Sequence, residues 1–90
     1  MAPKKPEILD TYGWIALESG QEEAALEAIR QAATLAPHLG SLQYHLAVAL
    51  DRNGKREVAR KTLQRLIKSG RKFPELDEAR ALLERLKEGG

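Results

Sequence analysis

The sequence predicts an all-α protein, built as a solenoid of two helix-turn-helix repeats and closed by a C-terminal helix. Apolar residues recur every three or four positions through five segments, and no segment alternates with the period of a strand. The chain also has a 34-residue internal period, which is typical of stacked supersecondary units. The clearest matching positions are Gly20, Glu23, Ala25 and Ile29, which return as Gly54, Glu57, Ala59 and Leu63.

Each predicted helix has a recognisable start or end. Pro6 and Glu7 suit a first turn, where proline loses no hydrogen bond and an acid favours the helix dipole. The next helices end before Gly or Pro, residues that interrupt helical conformation. The five predicted helices cover about residues 6–19, 22–35, 41–52, 56–68 and 74–87.

These helices define a single domain over residues 6–88, preceded by a disordered lead-in over residues 1–5. Short turns at Gly20 and Gly54 predict antiparallel hairpins, and small residues mark the helix crossings. The predicted units are repeat one at about 6–37, repeat two at about 40–70 and a capping helix at about 74–87, with Gly13 opposite Ala25 and Ala47 opposite Ala59.

Composition excludes several kinds of site. The 90 residues are 42% apolar and 31% charged, which is ordinary for a folded helical domain. There is no cysteine, so disulfides, thiolate metal sites and cysteine nucleophiles are excluded. His38 and His45 lack a shared zinc-ligand spacing, and Ser41, His45 and Asp51 come without the strained turn and oxyanion donors of a hydrolase. We therefore predict a protein that is not an enzyme and binds neither a metal nor a cofactor.

The sequence leaves the compartment open. No apolar run reaches the roughly 20 residues that span a bilayer, and the basic start of the chain is not followed by the apolar stretch of a signal peptide. Proteins of the cytoplasm and of the periplasm both have such sequences. The localisation is therefore unassigned between these two.

Charge is distributed unevenly along the chain. Residues 1–50 contain three Lys or Arg against six Asp or Glu, residues 51–73 contain nine against two, and residues 74–90 contain three against five. The middle segment therefore has a net charge of +7, although the whole chain has only +2. All nine of these cations lie within residues 52–72, which makes electrostatic contact with nucleic acid a hypothesis. Since no aromatic residue interleaves with the cations, base stacking has no support and nucleic acid is a disfavoured partner.

The size and spacing of the repeated residues resemble the tetratricopeptide repeat family. In that family the first helix of a repeat has a large residue followed by a small one, and the turn has Gly. The second helix has a small residue that faces the small residue of the first helix, and the repeat ends with Pro. The second repeat departs from this pattern, with Leu66 in place of Ala and Arg71 in place of Pro, which arrives three residues late as Pro74. The first repeat matches at Tyr12, Gly13, Gly20, Ala25, Ile29, Ala32 and Pro37, and the second at Leu46, Ala47, Gly54, Ala59 and Leu63.

A narrower resemblance concerns three short segments. They are similar to the final repeats of larger bacterial tetratricopeptide proteins, some of which accompany exopolysaccharide or exosortase-linked secretion systems. This resemblance implies a C-terminal piece of such a protein. The segments are residues 9–14, 44–47 and 75–83.

The family resemblance implies a concave binding face on the first helix of each pair. Trp14 is predicted either to anchor an apolar partner side chain or to fill space against a neighbouring helix. Asp10 and Trp14 stand where some family members have the Lys and Asn of a carboxylate clamp, so such a clamp is not expected. Because the first half of the groove is acidic, a basic or apolar extended segment is the expected ligand. The predicted partner-binding residues are Asp10, Trp14, Leu17, Tyr44, Val48, Asp51 and Arg52.

The leading functional hypothesis is therefore a non-catalytic module that binds a peptide or protein segment on its concave face. The alternative is a structural self-assembly unit of a larger protein, and binding of nucleic acid is a third hypothesis. Two repeats leave apolar surface open at the outer side of the first helix, because stacked units bury such faces only against a neighbour. We therefore also expect a weak homodimer.

Overall fold

The structure, a computed structural model, describes residues 5–88 and confirms the all-α fold. These residues are 79% helical and contain no strand. The predicted lead-in at residues 1–5 lies outside the described residues except for Lys5, which is extended. The five helices are α1 (Pro6–Glu18), α2 (Glu22–Leu35), α3 (Gly40–Arg52), α4 (Arg56–Lys68) and α5 (Leu76–Glu88).

The helices stack in the order of the sequence. α1 packs on α2 and α3 packs on α4, which makes two hairpins. The hairpins join where α2 packs on α3, with a smaller contact between α1 and α3, and α5 covers the other side of α4. This order is that of a solenoid, in which each unit contacts only its neighbours.

Both hairpin turns have the same hydrogen-bonded geometry. Gly20 and Gly54 have φ angles of 82° and 76°, a conformation that residues with a side chain rarely adopt. The residue after each glycine donates its N–H back into the preceding helix, from Gln21 to Ala16 O at 2.9 Å and from Lys55 to Leu50 O at 2.8 Å. These bonds are those of the Schellman motif, which satisfies the last carbonyls of a helix.

The helices of the first hairpin cross at Gly13, as the sequence predicts. A Cβ atom on Gly13 would lie 2.5 Å from Cγ1 of Ile29 and 3.2 Å from the carbonyl oxygen of Ala25. Ala47 and Ala59, at the matching positions of the second hairpin, are fully buried. Small residues therefore set the distance between the helices in both repeats.

The link between α4 and α5 differs from the sequence prediction. The fifth helix begins at Leu76 instead of Pro74. Glu75 precedes the helix, and its carbonyl oxygen accepts a hydrogen bond of 2.8 Å from the N–H of Ala79. The ring of Phe73 lies on Gly40, where a Cβ atom would come within 2.5 Å of its Cδ1. α5 is held against α4 by its buried residues Ala79, Leu82, Leu83 and Leu86.

Candidate functional site

A groove of about 400 Å³ crosses the three first helices of the stack, α1, α3 and α5. Its lining combines apolar side chains with four charged ones. All three helices are packed into the stack of repeats. The lining residues are Trp14 of α1, then Tyr44, Val48, Asp51 and Arg52 of α3, and Glu78, Ala81, Leu82 and Arg85 of α5.

The 34-residue period explains why these side chains meet. Trp14, Val48 and Leu82 follow one another at intervals of one period and line the same groove on successive helices. Tyr44 and Glu78 form a second pair at this spacing. Equivalent positions in stacked repeats lie on the same face of the solenoid.

Sequence reasoning missed the contribution of α5. The late Pro74 implies a longer link and leaves the docking angle of the last helix open, and residues 74–87 are predicted only as a helix that covers the last repeat. The sequence does contain a signal for this contribution: extending the 34-residue period once more, from Val48 to Leu82, predicts that α5 forms a third side of the groove. The longer link is absorbed before Leu76, and the groove positions of α5 keep their register.

Trp14 both packs inside the protein and lines the groove. Its side chain is partly exposed and lines the groove. Its ring also packs on His45, with a centroid distance of 4.4 Å and an interplanar angle of 34°. One part of the indole therefore stabilises the α1–α3 contact while another part faces the groove.

Leu17 does not lie in the groove, contrary to the sequence prediction. Its side chain is only 2% exposed and belongs to the cluster formed with Ala16 and Ala25, beneath Trp14 and Val48. A leucine at this position gains more from burial in the hairpin than from facing solvent. Leu17 therefore supports the groove floor without being able to contact a ligand.

Asp10, another predicted contact residue, is engaged inside the protein. Its two carboxylate oxygens lie 2.7 Å and 2.9 Å from Nδ1 of His45. Since an ionised carboxylate can only accept hydrogen bonds, Nδ1 of His45 is the protonated ring nitrogen and donates the hydrogen bond. Nε2 of His45 lies 3.7 Å from Glu75, whose other carboxylate oxygen accepts a hydrogen bond of 2.6 Å from Ser41. This polar network ties α1, α3 and the start of α5 together.

The network also bears on the hydrolase alternative. The Ser41 hydroxyl donates its hydrogen bond to Glu75 and not to His45, so these two residues do not form the nucleophile–base contact of a hydrolase. Asp51 lies at the groove edge. Within residues 5–88, no group of three or more potential ligands is placed to hold a metal ion.

The groove edges carry both signs of charge. Asp51 and Glu78 are acidic, and Arg52 and Arg85 are basic. Burial raises the pKa of the Tyr44 phenol, the carboxylates of Glu78 and Glu75 raise it further, and Arg85 opposes them. The Tyr44 hydroxyl is therefore a neutral group that is able to donate a hydrogen bond at the groove.

The basic segment at 52–72 is divided among several surfaces instead of forming one. Arg56 donates to carbonyls of α5, Arg60 pairs with Glu57, and Arg71 donates to Pro37 O at 2.9 Å. The exposed cations Lys61, Arg65 and Lys68 remain together with Gln64 on the outer side of α4. The residues that line this small patch include no aromatic side chain on which a base could stack.

Stacked helix pairs with a groove across their first helices define an α-helical repeat protein of the kind that presents a binding surface. The sequence profile of the tetratricopeptide repeat matches residues 16–83, and the chain belongs to this family. Searches of curated proteins and of solved structures find no match. None of the helices within residues 5–88 is long and apolar enough to cross a bilayer.

Membership of this family gives a general function. Tetratricopeptide repeats mediate protein–protein interactions and are typically scaffold modules without catalytic activity. The partner of this chain, its oligomeric state and the association with exopolysaccharide or exosortase systems remain predictions.

Proposed function

We propose that the groove binds an extended segment of a partner protein, with an apolar side chain of that segment on the floor formed by Trp14, Val48 and Leu82. The observation that carries this proposal is that Trp14, Val48 and Leu82, which follow one another at 34-residue spacing, line one groove, with Trp14 and Val48 partly exposed above the buried Leu82. A volume of about 400 Å³ lies within the usual range for ligand sites. Aromatic anchors in such sites commonly supply most of the binding energy.

The groove edges indicate the polar groups of the ligand. A Lys or Arg of the segment would pair with Asp51 or Glu78, and a backbone carbonyl would accept a hydrogen bond from Tyr44. Arg52, which the sequence predicts at the groove, and Arg85, which it does not, add hydrogen-bond donors at the groove edges. We therefore expect a segment with an apolar anchor and a cation beside it.

The test uses a displayed library of random short peptides, selected on the immobilised protein. Selected peptides are then measured by calorimetry against the wild type and Ala81→Glu. Ala81 is exposed and lines the groove, so the longer charged side chain occupies the groove without disturbing the core. We expect binding to weaken at least tenfold, about 1.4 kcal/mol.

Ala24→Glu provides the matched control. Ala24 lies in α2 near the first turn, does not line this groove, and tolerates an acid in a helix N-terminal region. Wild-type affinity is expected for this variant. Equal affinity of the selected peptides for the wild type and for Ala81→Glu would contradict the proposal.

A further inference from the structure

We propose that a second surface, on the outer side of α4, binds an extended acidic segment of a partner protein that has Asp or Glu at alternate positions. A cleft of about 230 Å³ lies beside α4, and Arg65 lines both this cleft and the basic patch on the same helix. The surface shares no lining residue with the groove, so it does not depend on the groove proposal. We call it the α4 cleft and define it as Pro37, Lys61, Arg65, Leu66, Lys68 and Arg71.

The α4 cleft is open within the stacked arrangement itself. α4 packs on α3 on one side and on α5 on the other, so both of its stacking surfaces are already covered. The cleft lies where the link after α2 meets the link after α4, because Arg71 donates from Nη1 to Pro37 O at 2.9 Å. The position one period before Lys61 is Glu27, which is exposed on α2 as well. This side of the second helix therefore faces solvent in both repeats.

The α4 cleft contains both positions at which the second repeat departs from the pattern of the first. Leu66 stands in place of Ala and Arg71 in place of Pro, and both line the cleft. Arg71 bonds to the carbonyl oxygen of Pro37, the residue at the same position one period earlier. The change from proline to arginine therefore places a guanidinium at the cleft, with one of its nitrogens held by the preceding repeat.

The cations of the α4 cleft form no ion pair within residues 5–88, and no acidic residue lines the cleft. Elsewhere on the surface, Arg60 is paired with Glu57 and Lys87 with Glu84. A cleft lined by charges of one sign concentrates ions of the opposite sign. The four cations are Lys61, Arg65, Lys68 and Arg71.

The spacing of these cations fits carboxylates on an extended chain. Lys61 and Arg65 are four residues apart, which corresponds to about 6 Å along a helix. In an extended segment, side chains two residues apart lie on the same side at a separation of about 6.6 Å. Acidic residues at alternate positions therefore meet successive cations. Because a guanidinium binds a carboxylate through two parallel hydrogen bonds, Arg65 and Arg71 are the expected main contacts.

Two other polyanions fit the α4 cleft less well. Single-stranded nucleic acid gains binding energy from bases that stack on aromatic rings, and no aromatic residue lines the cleft. Arg65 and Arg71 line a concave site, which a carboxylate side chain can enter and the flat surface of a bilayer cannot. An acidic segment of a protein is therefore the ligand that the cleft favours.

The test measures the binding of short fluorescein-labelled peptides by fluorescence anisotropy. In the first peptide, Glu alternates with Thr. In the second, which has the same composition, Glu occurs in adjacent pairs separated by two Thr, so no two Glu are two positions apart. We expect the alternating peptide to bind at least threefold more tightly and to shift the NMR signals of the ¹⁵N-labelled amides of residues 65–71.

Arg65→Gln is the test variant. Arg65 is exposed and forms no ion pair within the described part of the chain, so its replacement leaves the core intact. We expect this variant to bind the alternating peptide at least fivefold more weakly. Arg65→Lys keeps the charge and loses the two parallel donors, so an intermediate affinity is expected. An unchanged midpoint of thermal unfolding shows that each variant is folded.

Arg80→Gln is the matched control, because it makes the same substitution and the same change of net charge on α5. Arg80 is exposed and does not line the α4 cleft. Its affinity for the alternating peptide is expected to stay within twofold of the wild type. Binding to both proteins should weaken at 1 M salt, because the screening length falls from about 10 Å at 0.1 M to about 3 Å.

Three results would overturn the proposal. Equal affinity for the two peptides, or equal losses in Arg65→Gln and Arg80→Gln, would mean that net charge alone attracts the ligand. Stronger binding of oligothymidylate or of phosphatidylserine vesicles than of the alternating peptide, at equal negative charge and with the same dependence on Arg65, would assign the cleft to nucleic acid or to a membrane. Because Ala81→Glu leaves the α4 cleft intact, none of these results would be confused with failure of the groove proposal.

Discussion

At the scale of single residues, the absence of one methyl group sets the distance between α1 and α2. Gly13 allows Ile29 and the backbone of Ala25 to approach the α1 backbone directly. A Cβ atom at that position would lie closer to Ile29 than carbon atoms ordinarily come. The contact is therefore sensitive to any added volume.

Gly13→Ala is accordingly expected to destabilise the protein by about 1–3 kcal/mol through overpacking. Urea unfolding of the wild type and the variant measures this loss. In the background of Ile29→Ala the cost should shrink, since the clashing side chain is gone and the two sites are coupled. The same loss in both backgrounds would show that the clash is not with Ile29.

His45 contacts three of the residues that hold the helices around the groove together. It donates to Asp10, lies near Glu75 and packs beneath Trp14. His45→Ala is expected to lower the free energy of unfolding by about 1–3 kcal/mol, because it leaves a half-buried carboxylate without its donor. His38, an exposed histidine after Pro37, provides the control, and His38→Ala is expected to stay within about 0.5 kcal/mol of the wild type. Similar losses of unfolding free energy for His45→Ala and His38→Ala, measured by thermal or urea unfolding, would mean that the network does not stabilise the fold.

At the scale of elements, the end of α5 is held by a side chain of α4. Arg56 donates from Nη2 to the carbonyl oxygens of Arg85 at 3.1 Å and Leu86 at 3.2 Å. The last four carbonyls of a helix have no partner within it, and a cation there also favours the helix dipole. Arg56 therefore acts as a tertiary cap on the helix that forms the third wall of the groove.

Removing this cap is expected to loosen the last turn of α5. Such an interaction contributes about 0.3–1 kcal/mol, so amide exchange at residues 85–88 should rise about two- to fivefold in Arg56→Ala. Lys61→Ala, which removes an exposed cation on the same helix, is the control and should leave α5 exchange unchanged. Faster exchange in both variants would point to general destabilisation instead of a lost cap.

At the scale of the whole molecule, the two repeats share one thin core. The molecule measures 43 × 28 × 18 Å, and its shortest dimension corresponds to two layers of helices. Ile29 and Leu63, which occupy equivalent positions of the two repeats, are the largest fully buried side chains and belong to the same cluster. The repeats therefore depend on each other for burial.

Ile29→Ala and Leu63→Ala are each expected to cost about 2–5 kcal/mol. If the stack unfolds as one unit, Trp14 fluorescence and far-ultraviolet dichroism should give the same midpoint in each variant. Trp14 is the single tryptophan and lies in the first repeat, so it reports that part of the stack. An earlier dichroism transition in Leu63→Ala, with unchanged fluorescence, would show that the second repeat unfolds by itself.

The local pattern of the sequence determined the helices, both hairpin turns and the crossing at Gly13. These features depend on contacts between residues close in the chain, or on the size of residues repeated at a fixed period. The same period, applied to α1 and α3, places Trp14, Tyr44 and Val48 on one face without any knowledge of tertiary contacts. The fold class and the family follow from this information alone.

Only the tertiary structure decided which side chains are available to a partner. Leu17 is buried and Asp10 is paired with His45, because packing and charge pairing across helices select the orientation of each side chain. Likewise, α5 completes the groove through Leu82, a result that depends on how a longer link docks through Phe73 on Gly40. The sequence determined the faces of the helices, and the three-dimensional packing of distant residues determined which face remains open.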